Sequence, residues 1–400
     1  MSQPKLSSML LQKRISKRLL PLYIATFLNC LIFWYAIEKL FLTSIGFDTQ
    51  SIALVTIVYT VVMLLANIPA GILADRWSRK GVLMLSVVAL VISCLVGGLS
   101  HSFWVYAISA SLWGLSYACY AGADQSIIYD LLVEETGSAD LYQKYYGRLQ
   151  VIAGSGLVVS SLVSTLITRN FALSTVYFFS IPFLALSLIV LSRFREPQLH
   201  RAEVATLMGV HTKATFKALI HTRTVYYAIG GIVLVSVVSR LLYDFDQLWL
   251  IALALPLTLY GPVNALLLSS TWVAGLLTGK LTKRKWLTTV LIILITISSL
   301  GLLVHSNLVV VLGATVLLTS LLLLEVSLGK LLHDALPSKV RAGSSSVVST
   351  AGYIAFIPVA LLFGFIGKRF DIFSAAWIVI GLAVLVCLCV WQAFHLTEKH

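Results

Sequence analysis

Twelve long apolar stretches, each about the roughly 20 residues that cross a bilayer as a helix, set the limits on what this chain can fold into. They run over residues 19–42, 51–74, 81–100, 103–131, 145–168, 171–192, 223–246, 256–279, 286–304, 307–332, 344–366 and 372–395, here called spans 1 to 12. Leu, Val, Ile and Ala dominate them, and none shows the alternating segments of about ten residues that a membrane barrel would need. Inside hydrocarbon every backbone polar group must be satisfied within its own segment, so the spans are expected to be helices. Composition agrees. Hydrophobic residues make up 59% of the 400 and charged residues 11%, against about 25% charged in a soluble domain. So little polar surface could not cover a globule in water, and the same numbers exclude disorder.

The net charge of +13 has an explanation that needs no nucleic acid. An even number of spans leaves both termini on one side. With that side cytoplasmic, 24 of the 29 Lys and Arg fall inside, and only Lys39, Arg169, Arg240, Lys368 and Arg369 fall outside or in the outer half of a span. This is the bias of the positive-inside rule. The chain therefore reads as a multi-pass protein of the cytoplasmic (inner) membrane with both termini in the cytoplasm. The basic N-terminus leads into a stretch of full span length without a small-x-small cleavage site, so the first helix is expected to be retained. The five cysteines (Cys30, Cys94, Cys119, Cys387, Cys389) lie within spans at no metal-ligand spacing, as small buried hydrophobes do.

The longest polar stretch sits at mid-chain and carries His200, His211 and His221 at spacings that match no metal site. We read it as a cytoplasmic linker, 193–222, between two six-helix bundles, 1–192 and 223–400. A repeat supports the division. Gly71-Ile-Leu-Ala-Asp75-Arg76-Trp-Ser-Arg79-Lys80 lies between spans 2 and 3, and Gly275-Leu-Leu-Thr-Gly279-Lys280-Leu-Thr-Lys283-Arg284 lies between spans 8 and 9, 204 residues on. Cytoplasmic loops are basic in any case, but that does not explain the matched spacing. Internal repeats of helix bundles are how secondary transporters are built.

The first copy, Gly71-x-x-x-Asp75-Arg76-x-x-Arg79-Lys80, resembles the signature loop of the major facilitator superfamily, and the span count, linker and weakened second copy extend the likeness over the whole chain. Tyr120-Ala-Gly122-Ala-Asp124-Gln-Ser-Ile-Ile-Tyr129-Asp130 in span 4 and Pro337-Ser-Lys339-Val-Arg341-Ala before span 11 are similar to segments of its bacterial drug-efflux-like (drug:proton antiporter) members. The resemblance implies an all-α polytopic membrane protein, with twelve transmembrane helices in two pseudo-symmetric six-helix bundles. It implies alternating access driven by a proton gradient, with no cofactor, no metal and no enzyme activity. It also implies that Asp75 latches the bundles in the outward-open state. Gly71 would let two helix ends approach closely, Asp75 would cap a facing helix N-terminus, and Arg76, Arg79, Lys80 and Arg341 would anchor the cytoplasmic face. Two features depart from the antiporter pattern. Span 5 reads Ile152-Ala-Gly154-Ser-Gly156 with no proline, and span 4 has no Arg.

Ionisable residues at bilayer depth cost about 2.5–3.5 kcal/mol each on insertion scales and face a cavity or a partner by default. Here they are Glu38 in span 1, Asp124 in span 4, Arg240 and Asp244 in span 7, and Glu325 in span 10. By resemblance these four spans line the central cavity. On a continuous helix at about 100° per residue, Trp113, Tyr117, Tyr120 and Asp124 would form one stripe, an aromatic wall ending in a carboxylate. Such a stripe suits a cation, although helix packing and interfacial anchoring also use Trp and Tyr. Trp34 lies one turn before Glu38, which is either a counter-charge or proton site or one half of an ion pair, with Lys39 snorkelling outward. Asp130 reads as a structural latch with Arg148 or the signature loop. Arg240 and Asp244 can neutralise each other near an outer gate, with Tyr243 on the same face. Glu325 stands alone as a candidate proton carrier, with Lys330 within possible reach.

Deep acids outnumber deep bases, so a cation is expected over an anion. The favoured function is proton-coupled efflux of a small lipophilic cation by a monomer whose partners are that substrate, protons and membrane lipids. Glu38, Asp124 and Glu325 would serve proton coupling. Trp34, Glu38, Trp113, Tyr117, Tyr120, Asp124 and Tyr243 would serve the substrate. Proton-coupled uptake of a cationic nutrient and an uncoupled lipid-handling or receptor-like role stand as alternatives. No phosphate-cradling Gly-rich loop, zinc-protease or nucleophile-elbow motif occurs.

Overall fold

The structure, a computed structural model, describes residues 3–197, 223–281, 286–335 and 338–397. The His-bearing part of the linker, Lys283 and Arg284 lie outside the described residues, and so do the surroundings of Gly279 and the side chains of Lys280, Lys339 and Arg341. Every described element is helical. Eight described helices are long and apolar enough to cross a membrane. They correspond to spans 2, 3, 5, 6, 7, 10, 11 and 12. Aliphatic and aromatic side chains such as Leu65, Ile68, Trp104 and Leu276 are more than 70% exposed on their outer faces. That exposure would be costly in water and is ordinary against acyl chains.

Spans 1 and 4 are not single helices. Span 1 runs as a helix from Gln3 to Asn29, unwinds, and resumes as Tyr35–Ile37 and Glu38–Ser44. No glycine or proline marks the break. The loosened backbone is held by a neighbour instead, since the Phe33 amide donates to Ser180 Oγ of span 6 at 3.0 Å. Irregular backbone at membrane depth persists only where such partners exist. Span 4 is split into Phe103–Tyr120 and Ala123–Thr136. Its hinge is Gly122 at φ +81°, a left-handed conformation that glycine adopts without Cβ strain.

The chain forms two compact units, residues 1–38 with 58–203 and residues 39–57 with 204–400. In the first, span 1 packs on spans 4, 5 and 6, and span 3 on spans 4 and 6. In the second, span 7 packs on spans 10, 11 and 12, and span 9 on spans 10 and 12. The neighbour scheme repeats six spans on, as duplicated bundles require. The first unit's core includes Ile15, Leu19, Ile127, Leu131 and Tyr145, each fully buried. The second is centred on aromatics, with Phe245 and Phe363 stacked at 4.9 Å and Trp249 Nε1 donating to the Leu302 carbonyl at 3.1 Å.

Close approach sets two small residues. A Cβ on Gly156 would lie 2.9 Å from the Phe27 carbonyl oxygen, where spans 5 and 1 meet, and one on Gly114 would lie 2.6 Å from the Tyr59 carbonyl oxygen, where spans 4 and 2 meet. Gly71 differs from expectation. Nothing lies within 4 Å of a Cβ built there, so no described helix end crowds it.

Candidate functional site

Glu38 opens the helix Glu38–Ser44, just past the unwound stretch, and is 4% exposed. Tyr106 of span 4 donates a 2.7 Å hydrogen bond to its Oε1, and the Tyr106 and Tyr177 hydroxyls lie 3.0 Å apart. Trp34 stacks on Tyr177 at 5.3 Å with parallel rings and meets Trp113 edge-on at 4.8 Å. Trp113 also lies 4.3 Å from Tyr59, whose ring is 6.3 Å from Tyr117. These residues form one aromatic cluster around a carboxylate. Trp34 is 2% exposed and offers no open face, whereas Tyr117 is 44% exposed.

The stripe expected on span 4 does not exist as drawn. The hinge at Gly122 puts Asp124 on a separate helix from Trp113, Tyr117 and Tyr120. Asp124 occupies that helix's first turn and is 4% exposed. Its Oδ1 accepts the Gln125 amide at 2.7 Å, and a carboxylate there complements the helix dipole. Tyr120, Tyr142 and Tyr146 are its electrostatic neighbours. A second, separate group of tyrosines thus surrounds a second buried acid.

The signature loop is tied into the first unit. Arg79 pairs with Asp130 and donates to the Ser126 carbonyl at 3.2 Å, and Asp75 lies 3.6 Å from the same guanidinium. Asp130 therefore pairs with the signature loop. Arg148 lies over the Tyr145 ring at 5.2 Å instead, and Arg76 is exposed. The motif reading missed Glu196. Its carboxylate accepts the Arg79 amide at 2.7 Å and the Ser78 hydroxyl at 2.5 Å, at the N-terminus of the span 3 helix Arg79–Gly98. Lys80 Nζ closes the joint on the Ser192 and Phe194 carbonyls at 2.6 and 2.9 Å. An acid just after span 6, opposite a known helix start, was the available signal.

In the second unit Arg240 and Asp244 approach to 3.6 Å, and the guanidinium also lies 4.5 and 4.4 Å from the ring centres of Tyr353 and Phe356. Tyr243 shares a 3.1 Å hydrogen bond with Thr271 and is an electrostatic neighbour of Glu325. Glu325 makes no hydrogen bond or ion pair among the described residues, and Lys330 is exposed.

The sequence reading also passed over Asp246. It is 6% exposed, and neither carboxylate oxygen has a side-chain hydrogen-bond partner among the described residues. It borders a void of about 10 Å³ lined by Leu242, Trp249, Leu267 and Leu302, among others, a space that holds at most one water. Lys39, Asp244 and Tyr260 are in electrostatic range. Lys39 was expected to snorkel outward. It is 5% exposed, and its amide donates to Gln247 Oε1 at 3.0 Å. Span 7 thus carries a second deep acid two residues from the first, and span 1 a buried cation near it.

Helices of bilayer length, a six-span neighbour scheme used twice and buried acids within the spans define a polytopic membrane transporter. The chain belongs to the Major Facilitator Superfamily, whose family model matches residues 19–329. It has that superfamily's all-α fold of twelve transmembrane helices in two six-helix bundles, and the family's members are transporters, not enzymes. No curated protein matches the sequence. Solved structures of similar fold include a point mutant of the nucleoside transporter NupG, at TM-score 0.79 and 15% identity, over 94% of this chain and 100% of that one. A bacterial homolog of the human lysosomal transporter Spinster, inward-facing and unoccupied, gives 0.74 and 15%, over 95% and 96%. A D-xylose–proton symporter gives 0.67 and 15%, over 93% and 97%. At such identity the likeness carries the fold.

Proposed function

We propose that this protein is a proton-coupled exporter of small lipophilic cations, working as a monomer by alternating access in the cytoplasmic membrane with both termini in the cytoplasm. The observation that carries this reading is an imbalance of buried charge. Asp124 and Asp246 are 4% and 6% exposed, against one cation buried to that degree among the described residues, Lys39 at 5%. A buried carboxylate without a counter-charge is costly and is neutralised by a proton or by an organic cation. Competition between those two for one acid is the chemistry that antiport needs.

Asp246 and Glu325 are the proton sites this reading favours, because neither has a side-chain hydrogen bond or ion pair among the described residues. Glu38 and Asp124 remain coupling candidates whose proton exchange has to displace the Tyr106 hydroxyl and the Gln125 amide, respectively. Tyr117 and Trp113, with Tyr243 in the second unit, supply the aromatic faces for a lipophilic cation. Asp75, Arg76, Arg79 and Asp130, with Arg341, keep the gating role the loop implies.

The test is reconstitution into liposomes with tetraphenylphosphonium as probe and an imposed pH gradient. Proton-driven cation movement that stops on adding a protonophore supports the reading. Asp246→Asn is expected to abolish gradient-driven movement and to keep downhill exchange. Equal loss of both removes Asp246 from the coupling role. Uptake of a cationic nutrient is the second reading. The proline-free Ile152–Gly156 segment favours it, as does the fold shared with structures named as a xylose–proton symporter and a nucleoside transporter. Probe and protons moving in the same direction would select it. No movement under any gradient would select the receptor-like or lipid-handling alternative.

A further inference from the structure

At the cytoplasmic end of the first unit a cleft of about 510 Å³ is lined by Lys13, Arg14, Lys17, Arg18, Arg193 and Arg195, together with Pro21. The first four side chains come from the middle of the helix Gln3–Asn29, and the two arginines follow the end of the span 6 helix, Thr175–Ser192. Two carboxylates compensate part of this charge. Glu135 takes Arg14 at 3.0 Å and Arg18 at 2.5 Å, and Glu134 takes Arg18 at 2.8 Å. Glu196, which borders the adjoining cleft, is committed to Ser78 and Arg79. Lys13, Lys17, Arg193 and Arg195 have no carboxylate partner among the described residues.

The positive-inside bias accounts for basic residues at this face. It does not account for four uncompensated ones converging on one cleft from two helices. The residues just toward the membrane say what kind of anion fits. Lys13, Lys17, Leu20 and Ile24 fall within about 60° on one helix face, and Leu20 and Ile24 are 52% and 42% exposed. On span 6, Ile189, one turn before Arg193, is 53% exposed and Leu186 is 45% exposed. On both helices the cations stand directly above open aliphatic surface.

We propose that this cleft binds the phosphate headgroup of an anionic phospholipid, with the acyl chains lying along Leu20, Ile24, Leu186 and Ile189. Each cation near an anionic surface adds to such recognition. The proposal is independent of the transported substrate and of the buried acids.

The experiment uses the full-length protein in neutral detergent. Native mass spectrometry and thermal melts are run with added phosphatidylglycerol, with phosphatidylcholine and with inorganic phosphate. Wild type is expected to bind phosphatidylglycerol saturably and to gain several degrees of melting temperature, with neither effect from the other two. The variant Lys13→Gln/Lys17→Gln/Arg193→Gln/Arg195→Gln should bind at least tenfold more weakly. The charge-retaining Lys13→Arg/Lys17→Arg/Arg193→Lys/Arg195→Lys, which guards against a folding defect, should keep most of the binding, and so should Lys330→Gln, a basic position outside the cleft. Equal phosphatidylglycerol binding by wild type and the neutralised variant overturns the proposal. Inorganic phosphate competing as well as the lipid overturns it in favour of a soluble-anion site. In a further arm with an acidic peptide of polyglutamate, binding of the peptide but not of lipid overturns it in favour of a protein partner.

Discussion

Tyr106 holds Glu38 by a 2.7 Å hydrogen bond inside a cluster where both are almost wholly buried. Removing the donor while leaving the acid strands a buried acceptor, at a cost of about 1–3 kcal/mol. Tyr106→Phe is therefore expected to lower the melting temperature of the purified protein measurably. Adding Glu38→Gln to Tyr106→Phe should recover part of the loss, because the amide carries no charge. A Tyr106→Phe protein that melts like wild type would show that the bond contributes nothing.

Arg79 and Asp130 join the signature loop to the second half of span 4. Both side chains are only about a fifth exposed, at 21% and 23%, so solvent screens the pair incompletely. Groups in contact within one network couple by about 0.5–3 kcal/mol. A double-mutant cycle on Arg79→Gln and Asp130→Asn, read by thermal melts, should give a coupling in that range. Arg148→Gln combined with Asp130→Asn should be additive, because Arg148 is engaged with Tyr145. The reverse pattern would move the latch from Arg79 to Arg148.

The polar joints of this fold were easier to read in the sequence than its helix breaks, and the reason is physical. The signature loop announces itself because its spacing of small and basic residues repeats 204 residues on, which the general basicity of cytoplasmic ends does not explain. Asp130 could be tied to that loop because the alternatives were two. The break in span 1 has no local signal, since its amide at Phe33 is satisfied by Ser180, 147 residues away. The Gly122 hinge was present in the sequence but sat between two alanines, where it reads equally well as a small packing residue. Asp246 was masked by company. It falls within a short polar run with Asp244 and Gln247, so the pair Arg240–Asp244 seemed to account for the acids of span 7. Burial and the lack of a side-chain hydrogen bond, which single it out, are properties of the packed bundle.

Gly114 marks a close approach of spans 4 and 2. An added Cβ would sit 2.6 Å from the Tyr59 carbonyl oxygen and 3.2 Å from the Met63 amide nitrogen. Backbone atoms cannot step aside as a side-chain tip can, so Gly114→Ala should force the helices apart at about 1–3 kcal/mol. Gly275→Ala, where nothing lies within 4 Å, is the control and should be close to neutral. Equal effects of the two in thermal melts would contradict the packing.

Two aspartates cap helices at their starts between spans. Asp48 accepts the Ser51 amide at 2.7 Å and pairs with Lys368 at 2.8 Å, and Asp371 accepts the Ser374 amide at 2.6 Å. Burial alone would raise the Asp48 carboxyl, but Lys368 and Ser51 outweigh it and hold it below the usual range. At Asp371 the Ser374 amide is the main cause of the same downward shift. A depressed carboxyl stabilises the fold fully above its unfolded value of about 3.9. That contribution is lost as pH falls through the folded value. Melting temperature should therefore drop as pH is lowered below about 4, and Asp48→Asn/Asp371→Asn should flatten that drop while lowering stability at pH 7. A variant with the wild-type acid profile would place the titration elsewhere.

Lys39 and Asp246 are the sharpest case of mutual dependence in the second unit. Each is nearly buried, they lie within electrostatic range, and the Lys39 amide is fixed by the neighbouring Gln247. Removing one member of a buried charged couple leaves the other uncompensated, whereas removing both leaves two neutral groups. Lys39→Met alone is therefore expected to destabilise the protein more than Lys39→Met with Asp246→Asn, so that the second substitution rescues the first. Melting temperatures of the four proteins decide it. If the two substitutions simply add, Asp246 does not answer to Lys39, and its role in proton coupling would have to rest on the void beside it alone.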